Sequence, residues 1–198
     1  MEFQIPCAVV GRLARVIERM TYGGNEWFNS IRIESGIAIA SNRTILAAEI
    51  IGGPGGTVHI VNDPALIAQC RREAAFDSML SISVNEALRF ATCKTTLGYI
   101  HTGNCAVWSN AENLLADWRK HIPTTPVKKP KGGMVWVAEN INALAASSPS
   151  GRLIFEEVID ATRPTIVRDA LDSKWFGMFI PDLEGKDYVP ATIPDWLK

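Results

Sequence analysis

The chain has 198 residues, of which 47% are hydrophobic and 21% charged; this is enough to bury a real core in one large domain, or in one domain with a smaller companion. Twenty Lys and Arg stand against 21 Asp and Glu, and the net charge of −1 excludes a protein that grips phosphates through a global basic excess. The apolar runs at 37–40 and 45–51 are too short to cross a bilayer, and the start, MEFQIPCAVVGRLARVIERM, lacks a basic region ahead of a long apolar stretch, so the expectation is a cytoplasmic protein with no membrane association.

In chain order, residues 2–6 read as a short strand and 7–20 as a helix, in which Val9, Val10, Leu13, Val16, Ile17 and Met20 recur at helical spacing. FNSIRIES follows as a strand, then GIAIAS running through SNR into TILAAEII. A second unit opens on TVHIV and enters a helix through Asn62, Asp63 and Pro64, a cap followed by proline at the first helical position. Leu66, Ile67 and Cys70 face its core. SMLSISV, KTTLGYIHT and NCAVWSN continue as strands, the last two joined by a turn at Gly103–Asn104. A third unit opens on MVWVA, takes a short helix from about Asn140 to Ser147, and runs on as RLIFEEVI, PTIVRDA and WFGMFIP.

The pattern is a strand, a helix and further strands, three times over. That is an α+β chain of repeated strand–helix–strand units. Two Pro/Gly-rich separators, IGGPGG at 51–56 and TTPVKKPKGG at 124–133, divide the units. The end, LEGKDYVPATIPDWLK, carries late turn signals at Gly185, Pro190 and Pro194 and reads as an extended tail.

Local charge is more informative than the total. At helical spacing Arg12, Arg15 and Arg19 fall within a wedge of roughly 60°, about 125° from the centre of the apolar stripe. Arg72 points away from the core of the second helix, Arg71 lies on its flank, and the second separator adds Lys128, Lys129 and Lys131. Two readings of this basic strip stand: a phosphate-facing rail, and an ordinary solvated helix face.

Motifs for catalysis are missing. GGPGGT lacks the Lys-Ser/Thr that follows a phosphate-binding glycine loop, and GxSxG, HExxH and paired-Asp metal motifs do not occur. His59, His101 and His121 sit at strands or strand ends with no neighbouring nucleophile in sequence. Glu156, Glu157 and Asp160 fit an ordinary strand face. Cys7, Cys70, Cys93 and Cys105 are scattered, apolar-flanked and without metal-ligand spacing, which fits buried reduced thiols. The expectation is a protein that is not an enzyme and holds no metal or cofactor.

Three stretches resemble the bacterial beta sliding clamp, the processivity subunit of the replicative polymerase. NSIRIESGIAIASNRTILAAEI is similar to the clamp's paired strands around its Asp-Gly-His-Arg-Leu-Ala turn, with Asn42, Arg43 and Leu46–Ala47 in comparable places. ADWRKHIP (116–123) resembles the Pro-Asp-Tyr-Arg-Arg-hydrophobic-Pro segment that closes a clamp domain. RPTIVRDALDSKWFGMFIP resembles the clamp C-terminus, finishing here in Ile180–Pro181. The resemblance covers roughly residues 2–182 as an ordered series.

It implies helices lining a hole and sheets forming an outer wall. It further implies a complete clamp-like domain at 1–123 (repeats at about 2–51 and 57–123), a linker at 124–131, a half domain at 132–182 and a tail at 183–198. A clamp subunit has six repeats and a ring has twelve; with three repeats per chain the resemblance favours a homotetramer, with dimer or trimer as alternatives. The implied partners are duplex DNA, bound without sequence preference, a polymerase or other clamp-binding protein, and further copies of the chain. The DNA-facing set would be Arg12, Arg15, Arg19, Arg71, Arg72, Lys128 and Lys129. The family's peptide-binding cleft, carried across by motif, would comprise Arg43, Thr44, Ile45, Leu46, Ile122, Pro123, Ile180 and Pro181. A second class of function, a clamp-like regulator that binds a host clamp, its loader or a polymerase without encircling DNA, is the alternative. The paired apolar residues Ile193, Trp196 and Leu197 would suit the tail to docking in that cleft.

Overall fold

The first strand shows the alternation of a half-buried segment: β1 (Glu2–Pro6) buries Phe3 and Ile5 and exposes Glu2 and Gln4. Helix α1 (Cys7–Ile17) follows with no intervening residue, and the Cys7 amide donates to the Ser78 carbonyl at 2.8 Å. The computed structural model of the chain describes residues 2–17, 30–42, 44–53, 57–85, 90–108, 137–156 and 164–179. Residues 18–20 of the expected first helix therefore lie outside the described residues.

β2 (Ser30–Glu34) and β3 (Ile37–Ser41) form a tight hairpin. Its two turn residues, Ser35 and Gly36, both have positive φ, as a two-residue turn matching strand twist requires. The run from GIAIAS into TILAAEII is broken into two strands. The Asn42 side chain accepts from the Thr44 and Ile45 amides at 3.1 and 3.0 Å, reversing the chain into β4 (Ile45–Ile50).

β5 (Thr57–Val61) leads to α2 (Pro64–Glu73), where Asp63 caps the Ala65 and Leu66 amides and Pro64 starts the helix. A 3-10 turn (Ala74–Phe76) then delivers β6 (Met79–Asn85).

The next strands depart from the sequence reading. KTTLGYIHT is not one strand: β7 is Phe90–Thr95 and β8 is Ile100–Gly103, with a turn closed by Gly98 at φ +93° and by the Thr95 amide bonding the Tyr99 carbonyl at 2.9 Å. Gly103–Asn104 is not a hairpin turn either. There the chain passes from one sheet into the other, and β9 (Ala106–Trp108) pairs with β5. In the third unit α3 spans Ala138–Ser147, so Ala138 is helical and not the end of a strand; residues 134–136 lie outside the described residues. β10 (Leu153–Phe155), β11 (Thr165–Asp169) and β12 (Trp175–Phe179) follow.

These strands build two antiparallel sheets. One has the order β1-β6-β7-β8, and the other, of eight strands, has the order β10-β11-β12-β4-β3-β2-β5-β9. The third unit thus continues the sheet of the first, through a five-residue register from Trp175↔Glu49 to Phe179↔Ile45. One core cluster spans both sheets and all three helices; α1 lies between α2 and α3 and contributes Val9, Val10, Leu13, Val16 and Ile17. On its opposite face the eight-stranded sheet carries a second, smaller cluster of Ile39, Leu46, Ala48 and Met178.

Two contacts fasten the third unit. Asp169, buried at the end of β11, accepts from the Ser148 hydroxyl, from the Ser150 amide and hydroxyl at 2.8 Å each, and from the Leu171 and Asp172 amides at 2.8 and 2.9 Å. Burial works to raise its carboxyl, but these donors outweigh it and hold the pKa well below the ordinary carboxylate range. The second contact is steric. The Trp175 ring lies over Gly177, where an added Cβ would sit 2.6 Å from the indole and 3.2 Å from Leu144 of α3. Gly177→Ala should therefore lower the unfolding free energy by about 1–3 kcal/mol, the usual cost of overpacking a core. Chemical denaturation reads this directly, and an unchanged midpoint would remove Gly177 from this role.

Candidate functional site

The exposed side of the helix layer is narrow. Eight of the eleven residues of α1 are buried, leaving Ala8, Arg12 and Arg15 as its outward strip. On α2, Ala65, Ala68 and Arg72 are exposed. On α3 the exposed residues are Ala138, Glu139, Asn142 and Ala146, and the helix contains no Lys or Arg. Among the described helices, Lys and Arg occur on α1 and α2.

The arginines are not equivalent. Arg15 and Arg72 are exposed. Arg71 is half-buried at the crossing of the two helices, and its Nε donates to the Gly11 carbonyl at 3.2 Å. The crossing is close at that point: a Cβ on Gly11 would meet Arg71 Cγ at 3.0 Å. Arg12 turns back toward the sheet and donates from Nη2 to Glu49 Oε1 at 2.7 Å. Burial raises the Glu49 carboxyl more than Arg12 lowers it, so its pKa stands above the ordinary value. Arg12 therefore neutralises an internal carboxylate, and Arg15 and Arg72 are the arginines of this set turned to water. Arg19, Lys128 and Lys129 lie outside the described residues.

The residues expected to form a cleft are divided by the pleat of β4. Ile45 points to the helix side and is fully buried there, whereas Leu46 points to the opposite face, 3% exposed among Ile39, Ala48 and Met178. One groove cannot take both side chains. Thr44 is exposed in the turn, held by Asn42. Arg43, Ile122, Pro123, Ile180 and Pro181 lie outside the described residues.

Two arrangements have no signature in the sequence. His101 on β8 bonds Asp63 through Nε2 at 2.9 Å and stacks on Tyr99, so the cap residue of α2 also anchors the outer strand of the four-stranded sheet. The cysteines, scattered in the chain, meet in two buried pairs, Cys7 with Cys70 and Cys93 with Cys105. Strand register and helix crossing create both pairs, and no local spacing announces them. Among the described residues no three His, Cys, Asp or Glu side chains are placed to hold a metal ion, and no helix is long and apolar enough to cross a membrane.

The architecture is shared with solved structures. A DNA polymerase sliding clamp from Pseudomonas aeruginosa, solved with a ligand, matches with a TM-score of 0.62 at 10% identity, over 92% of this chain and 66% of that one. A sliding clamp from Bartonella birtlesii bound to griselimycin matches with a TM-score of 0.60 at 11% identity, over 91% and 65%. The DNA polymerase III beta subunit of Thermotoga maritima matches with a TM-score of 0.53 at 10% identity, over 92% and 65%. No protein-family model and no curated protein sequence matches the chain. The fold is that of the sliding clamp, and the chain spans just under two-thirds of the length of the clamps it matches.

The Arg12–Glu49 pair makes a testable statement about this layer. Arg12→Met leaves a buried carboxylate without its cation and should cost about 1–3 kcal/mol at neutral pH, less than a fully buried pair because Arg12 keeps some water. Without Arg12 the Glu49 pKa rises further, so the folded state binds a proton that the unfolded chain does not. The deficit of the variant should shrink as pH falls through that raised value toward about 4.3, the unfolded carboxyl. Denaturant midpoints of both proteins at pH 7.5 and 5 check the sign.

Proposed function

We propose that the chain is a DNA sliding clamp, a ring of identical subunits that encircles duplex DNA and tethers a polymerase in the cytoplasm. The observation that carries this reading is the helix layer: α1 and α2 pack over antiparallel sheets of the sliding-clamp fold and turn Arg15 and Arg72 to water. A sliding protein needs phosphate-directed charge and no base contacts. It also needs few such contacts, since each neutralised phosphate releases counterions and tightens the hold. Two exposed arginines on the described helices, beside an α3 without basic residues and a net charge of −1, suit a loose grip.

Assembly is proposed to run edge to edge. β10 ends the eight-stranded sheet among the described residues, and its Ile154 and Phe155 are 52% and 39% exposed. A strand at the end of a sheet favours pairing with another strand. With three repeats per chain and twelve per ring, the proposed assembly is a homotetramer. The division into a clamp-like domain at 1–123 and a half domain at 132–182 belongs to this reading. So does partner docking near Thr44 and Leu46.

Two measurements test it. Native mass spectrometry should show four copies; a stable monomer at micromolar concentration would sink the ring, and a monomer that captures a separate clamp would point to the regulator instead. The double variant Arg15→Glu/Arg72→Glu should assemble normally yet be retained on closed circular DNA roughly tenfold less well, since lost phosphate contacts weaken binding uniformly. Retention equal to the parent protein would overturn the assignment of the helix layer to DNA.

A further inference from the structure

Cys93 lies in β7, and Cys105 lies just beyond β8, where the chain leaves the four-stranded sheet for the eight-stranded one. Their sulfurs are 3.4 Å apart, and the residues are 0% and 2% exposed. We propose that Cys93 and Cys105 form a reversible intramolecular disulfide, a modification site that staples β7 to the crossing between the two sheets. A disulfide bond is about 2.05 Å long, so closure moves the sulfurs together by roughly 1.4 Å, within reach of side-chain rotation.

The surroundings divide the labour between the two thiols. The hydrogen bond with Cys93 holds the Cys105 thiol down to about 7 against burial, and His101 adds to that, while Cys93 is pushed up by the same bond and by burial. His101 is itself bonded to Asp63, whose charge opposes the effect on Cys105 from the α2 side. Cys105 is therefore the attacking thiolate and Cys93 the resolving thiol. Access comes through the edge: β8 is the outermost strand of its sheet among the described residues, and Cys105 is flanked by exposed Asn104 and by Gly103 at φ +145°. Edge segments of this kind open first.

The oxidant is a hydroperoxide. The Cys105 thiolate attacks the terminal peroxide oxygen, the O–O bond breaks, and an alkoxide (hydroxide where the oxidant is hydrogen peroxide) leaves and is protonated to alcohol or water, giving a sulfenic acid at Cys105. Cys93 sulfur then attacks the Cys105 sulfur and displaces hydroxide, which takes up the Cys93 proton as water. Two thiols are oxidised by two electrons, one peroxide is reduced, and a dithiol reductant reverses the change.

The test uses the full chain with hydrogen peroxide. Trypsin separates all four cysteines, placing Cys93 in peptide 90–94 and Cys105 in peptide 95–119. After peroxide treatment, alkylation and non-reducing digestion, the expected species is 90–94 linked to 95–119, lost again on reduction. Its rate of formation should rise as pH passes through about 7. Amide exchange across 100–106 should slow in the oxidised protein. In Cys93→Ser a dimedone-reactive sulfenic acid should accumulate at Cys105, and Cys105→Ser should leave Cys93 unmodified. Recovery of both thiols free after treatment, a bond linking Cys7 to Cys70 in their place, or a link between chains would overturn the proposal. The map of the parent protein decides even where a serine variant does not fold.

Discussion

The fold depends on how completely α1 is buried. It sits under the eight-stranded sheet's inner face and between α2 and α3, so one helix supplies the contact surface for every other layer. Gly11 lets α2 approach closely, and Val9, Val10, Leu13, Val16 and Ile17 fill the space against both sheets. Removing apolar surface from water drives this assembly, and a helix sunk on most of its circumference gathers more of that term than one packed on a single stripe. The same burial leaves one narrow strip of the described helix in reach of water, at Ala8, Arg12 and Arg15.

Polar groups fix the arrangement that burial favours. Glu73, buried at the end of α2, accepts from Gln69 at 2.7 Å, Ser78 at 2.6 Å and Thr95 at 2.8 Å, which joins the helix to β7 and to the turn before β6. Asp169 does the same between α3 and the β11–β12 turn. Burial disfavours both carboxylates, and in each case the donors prevail. Glu49 shows the other balance: a single arginine partner does not offset its burial. Buried His59 shows a third, its imidazole driven down to about 4 by burial and by Arg32, which pairs across from it on β2.

A thin basic strip follows from these constraints. Arg12 is committed to Glu49 and Arg71 to the Gly11 carbonyl, while Arg15 and Arg72 are exposed. For the proposed sliding function a small number of exposed arginines suits a loose hold, since affinity for phosphate scales with the number of contacts.

Much of the architecture was legible in the amino-acid sequence because its signals are local. The period of Val9–Ile17, the Asp63–Pro64 cap, the alternation in SMLSISV and the apolar run of WFGMF each report on a few neighbouring residues, and each of these elements formed where its signal lay. The sequence also determined that basic residues would collect on one side of α1. Pairing and availability were decided only by tertiary structure. Whether KTTLGYIHT runs straight or reverses depends on β7 finding β6, and the outcome moved Gly103–Asn104 from a hairpin turn to a crossing between sheets. Which arginine faces water depends on Glu49, 37 residues from Arg12 in the chain. Ile45 and Leu46, adjacent in sequence, are sent to opposite faces by the pleat. The thiols of Cys93 and Cys105 meet only because β7, β8 and the crossing bring them within 3.4 Å, since contact between distant residues is a property of register and packing, which local periodicity does not encode.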